Sequence, residues 1–150
     1  MKIDQQEVQR AIERIQNAFR NELKDRPGVS DAVRSDADAE FALHVYVTTT
    51  PDTAFRALPR LMLYYLQNIK NPQVRDLIVA LDVEMLDENG RHDPRYEITT
   101  KIKREEFHLL SKEQRLAVAG FLRVMDQNKE VFRKDDSLKF ILRFWESPQS

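Results

Sequence analysis

The residues best suited to chemistry are a few carboxylates and imidazoles at helical spacing. Glu105-Glu106-Phe107-His108 contains a Glu-x-x-His, which on a helix puts a carboxylate and an imidazole on one face, as in the di-iron centres of four-helix bundles. Glu40 and His44, four apart, would stack on a helix in the same way. Together these four define one reading, a metal-dependent enzyme with a site built from Glu40, His44, Glu105 and His108. Such a dinuclear centre, however, needs a second Glu-x-x-His and two more inward glutamates. No second copy exists, since Glu88 and His92 are four apart and fall among turn-forming residues. A lone pair of this kind arises readily in a chain with 25 acidic residues. Its plainer meaning is a solvated pair or a histidine packed by its ring.

The stretch Met85–Glu97, MLDENGRHDPRYE, collects Asp87, Glu88, Asn89, His92, Asp93 and Glu97. A calcium loop places oxygen donors at alternating positions, Gly sixth and a bidentate Glu twelfth. Counted from Asp87, Asn89 fits the third position, but Arg91 is fifth, His92 sixth and Ile98 twelfth, so the pattern fails. Asn-Gly tolerates positive φ and Pro94 presets its own, so the stretch reads as a turn.

Arg56, Arg60 and Tyr64 form a four-residue ladder that could receive an acidic partner or a small anion through the planar guanidinium forks. The competing expectation, which the commonness of structural ion pairs favours, is that Arg60 pairs internally and the tyrosine supplies bulk. Lys101-Ile-Lys-Arg104 is too short a basic run for nucleic acid and is followed by two glutamates.

Helices must position these residues. From Asp4 to about Lys24 the apolar residues Val8, Ala11, Ile12, Ile15, Phe19 and Leu23 recur at helical spacing, and Arg26-Pro-Gly28 closes an N-terminal helix within residues 1–28. A polar loop is expected over 29–38. Over 41–49 the alternation of Phe41, Leu43, Val45 and Val47 admits a strand. Ser35 with Asp36, Asp38 and Glu40 instead provides a cap and an acidic first turn, which predicts a helix over 36–47. Thr50-Pro51-Asp52 starts another helix that is apolar on most sides, with Pro59 expected to kink or restart it. Val74, Leu77, Ile78, Leu81 and Met85 predict a further helix, while 96–102 stays open between strand and helix. Ser111 and Gln114 have capping-box form ahead of Ala117, Val118, Phe121, Leu122 and Met125. Asp136-Ser137 starts the last helix, which carries Leu138, Ile141, Leu142 and Trp145. The expected fold is all-α, a compact single-domain bundle or array of about six helices spanning 1–150.

Composition removes whole classes of function. Basic and acidic residues number 24 and 25, so no overall field draws the chain to nucleic acid or anionic lipid. The absence of cysteine excludes disulfides, thiol catalysis and thiolate metal sites, and fits a reducing cytoplasm. MKIDQQEVQR has no apolar core for a signal peptide, and the apolar run Leu61–Leu66 is too short to cross a bilayer. Three glycines, Gly28, Gly90 and Gly120, cannot make a phosphate-cradling loop, and no nucleophile elbow is present, so no cofactor is expected.

Leu58-Pro59, and Leu110-Ser111 through Gln114, Val118, Phe121 and Leu122, give the chain a further likeness. Over roughly 40–148 it resembles members of small bacterial helical families of uncharacterised function, domains of unknown function with a Leu-Pro helix start and a Leu-Ser-x-x-Gln-x-x-x-Val-x-x-Phe-Leu helix. The resemblance implies an α-helical cytoplasmic protein and favours helix over 36–47; it supplies no catalytic residue. The reading that follows is a non-enzymatic helical module that binds a protein partner or its own copy through a helix face. Two surfaces are candidates, the aromatic tail with Phe140, Phe144 and Trp145, and the first helix, whose stripe nears a heptad rhythm, although core packing is the favoured expectation for each.

Overall fold

The computed structural model describes residues 3–28, 30–132 and 137–147, and every regular element among them is a helix. The seven α-helices are α1 (Gln5–Ala18), α2 (Asp36–Thr48), α3 (Pro51–Gln67), α4 (Val74–Ala80), α5 (Glu97–Leu109), α6 (Lys112–Asp126) and α7 (Ser137–Glu146); a single 3₁₀ turn at Pro94–Tyr96 leads into α5. Six are expected from periodicity, and the seventh is α5, formed from the stretch that alternation and helical spacing had left open. α3 is the central rod. α2 lies along it, α1 packs on α6 and α3, and α7 covers α6. Their buried side chains make one contiguous apolar core. No helix among the described residues is long and apolar enough to cross a membrane.

Local signals decide several starts. Asp4 accepts from the backbone N–H of Gln6 at 2.9 Å, and Ser35 from that of Asp38 at 3.1 Å. Ser111 and Gln114 form both halves of the expected capping box. Residues 41–49 are helix to Thr48. There Thr48 and Thr49 donate their hydroxyls to the carbonyls of His44 and Val45, both at 2.6 Å. Threonines that favour strands by propensity thus sit in a last helical turn by back-bonding to i−4 carbonyls, Val45 being one that the Thr49 backbone N–H already holds.

Pro59 neither restarts nor interrupts α3, which runs unbroken from Pro51 to Gln67. On the turn that Pro59 weakens, the Arg60 guanidinium donates to the Arg56 carbonyl at 2.7 Å. Burial on nearly all sides, from Ala54 to Leu66, fits its central place.

Two helices end earlier than their apolar stripes predict. α1 stops at Ala18, although Phe19 is buried and Leu23 half-buried. The carbonyls that follow are taken by side chains from elsewhere: Ala18 by Gln114, Glu22 and Leu23 by Arg60, and Lys24 by Arg56. α4 stops at Ala80, and Met85 lies beyond it with a φ of 50° rather than on its stripe. Lys103 accounts for the carbonyls of Ala80 and Asp82, and the Trp145 indole N–H for that of Leu81. The Asp136 part of the α7 cap lies outside the described residues.

The stretch Met85–Glu97 is a turn. Asp87 Oδ1 accepts from Asn89 and Arg91 N–H at 2.9 and 3.0 Å, Gly90 sits at a φ of 76°, and Leu86 bridges to His92. Asp93 caps the 3₁₀ turn through Arg95 N–H and pairs with the Arg95 guanidinium at 2.7 Å.

Candidate functional site

α5 is attached differently from the other helices. Its broad neighbour is only the 3₁₀ turn before it. Phe107 anchors its C-terminal half, with ring centroids 4.6 Å from Phe144 and 4.9 Å from Trp145. Polar ties to the 80–84 segment hold the rest. Lys103 reaches the Ala80 and Asp82 carbonyls at 3.3 and 2.9 Å, and Arg104 pairs with Glu84 at 2.5 Å.

This arrangement leaves two features. One is a stripe of Ile98, Ile102 and Leu109 on the side of α5 roughly opposite Phe107, as steps of four and seven require. Ile98 is 76% exposed, Leu109 64% and Ile102 51%. The other is a cleft of about 210 Å³ between α2 and α5. Its deep wall is apolar, formed by Val83, Phe107, Leu110 and Trp145, all buried, with Phe55 half-buried beside them. Val47 on α2 and Ile102 on α5 are exposed residues that line it from opposite helices. Its polar side chains are Tyr46, Thr99, Lys103 and Glu106.

The electrostatics of the cleft follow from burial. Burial raises the Glu106 carboxyl above its usual value, with the Lys103 charge pulling the other way. Burial, with a further push from Glu106, holds the Tyr46 phenol far above its usual range. Lys103 is lowered by burial against the pull of Asp82 and Glu106. An ammonium has three donors. Those of Lys103 face the Ala80 and Asp82 carbonyls and, at 3.8 Å, the Met85 sulfur.

The residues singled out from the sequence are distributed as follows. Arg56, Arg60 and Tyr64 do form a ladder on α3, but it ties the 19–36 segment to the core. Arg60 is buried and donates to the carbonyls of Glu22, Leu23 and Arg56 at 2.8, 3.2 and 2.7 Å. Arg56 donates to the Lys24 carbonyl and approaches Asp31 at 3.4 Å, and Tyr64 donates to Asp36 at 2.5 Å. Burial alone would raise Asp31; the hydrogen bond and charge of Arg26, with Arg56 and Arg60 behind it, outweigh that and hold it below its usual value.

Glu40 and His44 are exposed on α2, and Glu105 and His108 are exposed on α5. His92, Glu105 and His108 line one open groove beside α5. Among the described residues, however, no three His, Asp or Glu side chains converge closely enough to hold a metal ion. His92 Nδ1 lies 3.6 Å from Glu84, which also holds Arg104.

The apolar surface lies elsewhere than at the two ends of the chain, whose apolar residues pack inward. Trp145 is buried and Phe140 and Phe144 are half-buried; Val8 and Ile15 on α1 and Phe19 just after it are buried. The α5 stripe was legible only in part: Ile98, Ile102 and Leu109 share a face once 97–109 is known to be helix. Tyr46 and Glu106 carry no sequence signal, because sixty residues separate them and only the packing of α2 near α5 makes them neighbours.

No family model, no curated protein and no solved structure matches this chain. The residues behind the likeness noted above are structural here. Leu58, Pro59, Leu110, Val118, Phe121 and Leu122 are buried, and Ser111 and Gln114 are the capping box.

Proposed function

We propose that this chain is a helical protein-interaction module, acting by binding rather than catalysis, and that it presents α5 and the α2–α5 cleft to its partner. The observation that carries the reading is the outward stripe of Ile98, Ile102 and Leu109. Exposed aliphatic residues scattered singly are ordinary, but three on one helical face continuing into an apolar cleft form a patch of the kind that partners cover. Full cover of each is worth about 2 kcal/mol. The rival readings draw less support: the Arg60 donors already have acceptors, and the candidate metal ligands are spread over two helices. The cytoplasm is the proposed compartment, which suits a chain without cysteine.

The test pairs the wild type with the double variant Ile98→Glu, Ile102→Glu, whose exposed positions should tolerate the change. Light scattering over a concentration series and affinity capture are run on both. Self-association, or a retained partner, present in the wild type and lost in the variant supports the reading. A wild type that stays monomeric and captures the same proteins as the variant refutes it.

A further inference from the structure

Glu106 makes no hydrogen bond and no ion pair within 4 Å among the described residues, although it lines a cleft whose deep wall is aromatic and aliphatic. The cation that influences it, Lys103, has its three donors directed at the Ala80 carbonyl at the end of α4, the Asp82 carbonyl and the Met85 sulfur. Lys103 is therefore matched by the negative end of α4 and by Asp82, whose carboxylate also acts on it. Glu106 is left as the half-buried acceptor in the cleft without a protein donor, its oxygens open to solvent, and Tyr46 beside it likewise has no hydrogen bond among the described residues.

We propose that the α2–α5 cleft receives a lysine or arginine side chain of the partner protein, whose cation pairs with Glu106 while apolar residues flanking it cover Ile98, Ile102 and Leu109. This rests on the interaction-face reading above and names the chemistry of the partner. A long basic side chain has the right division of character. Its methylene stem suits the wall formed by Phe55, Phe107 and Trp145, and its head supplies the donors that a half-buried carboxylate lacks. A cation near these rings gains a further attraction from their faces. A purely apolar side chain would cover Glu106 without pairing it, and an acidic one would add like charge; both are disfavoured. The cleft has room for a side chain but not for a helix, so the partner's backbone must lie outside it, along the α5 stripe.

The test is selection from a displayed library of amphipathic helices with one position in the apolar face fully randomised, against the wild type and against Glu106→Gln. Glu106→Asp serves as the charge-keeping control. The expected result is enrichment of Lys or Arg at that position by the wild type and by Glu106→Asp, lost with Glu106→Gln. Selected peptides should bind Glu106→Gln about tenfold more weakly. Binding is read from the fluorescence of Trp145, the single tryptophan, which lines the cleft. Peptides that bind the wild type with no basic preference, or whose preference survives in Glu106→Gln, overturn this proposal and leave the interaction face standing. A library that yields no binder displaced by the Ile98→Glu, Ile102→Glu change overturns both.

Discussion

The buried guanidinium of Arg60 donates to the carbonyl of Glu22 at 2.8 Å, joining α3 to a segment thirty-eight residues earlier in the chain. It also takes the carbonyls of Leu23 and Arg56. One cation therefore satisfies acceptors at the end of the α1 region and on the turn of α3 that Pro59 weakens. Lys103 does the same for the end of α4. In both cases a charge that could have served a ligand serves a helix end instead.

Replacing Arg60 should therefore cost stability well beyond the loss of a surface charge. Arg60→Met keeps the apolar stem but takes the guanidinium donors from the Glu22 and Leu23 carbonyls, and urea unfolding should show a loss of about 3 kcal/mol. Arg60→Lys should recover part of it, because a compact ammonium cannot span the same three acceptors as a planar fork. A loss below about 1 kcal/mol for Arg60→Met would mean that those carbonyls are met by water.

Two glycines with similar backbones should respond differently to alanine. Gly28 and Gly90 have φ of 74° and 76°. A Cβ at Gly28 would meet nothing within 4 Å, whereas at Gly90 it would lie 3.2 Å from the Phe140 ring. Gly28→Ala should cost about 1 kcal/mol from backbone strain alone. Gly90→Ala carries the same strain plus the displacement of Phe140, so it should cost more, about 2 kcal/mol. Equal losses by chemical denaturation would show that Phe140 yields freely.

Asp31 and Glu106 should give opposite pH dependences. Asp31 is held below the ordinary carboxyl value, so the stability it lends is present above that value and is lost as pH falls through its folded value. Glu106 is held above the ordinary carboxyl value, so the folded state binds more protons there, and stability declines as pH rises from that value through the folded one. Unfolding midpoints should show Asp31→Asn closing on the wild type only at the acid end. Glu106→Gln should match the wild type near pH 4 and equal or exceed it near neutrality. A Glu106→Gln protein that is less stable at neutral pH than at pH 4, relative to the wild type, would contradict the burial of an unpaired carboxylate.

Much of the helical plan was legible because its causes are local. Ser35 and Ser111 mark starts through side chains that reach only three residues ahead, and the stripes of α1, α3 and α6 record which side of each rod leaves water. Residues 41–49 were harder, because β-branched propensity and an acidic cap pointed opposite ways, and Thr48 and Thr49 proved to be C-terminal donors. Residues 97–109 were harder still: α5 buries little beyond Phe107, so its outward isoleucines do not mark an inner face.

By itself, then, the chain's order of residues determined that it forms capped amphipathic helices around a central apolar rod, since capping and amphipathicity act over one or two turns. Tertiary structure alone decided where α1 and α4 stop, because the side chains that claim their last carbonyls come from Gln114, Arg60, Lys103 and Trp145. It alone also placed Tyr46 near Glu106 and left that carboxylate without a donor. A hydrogen bond or a charge acts through space, and the distances that govern it exist only once distant helices have packed.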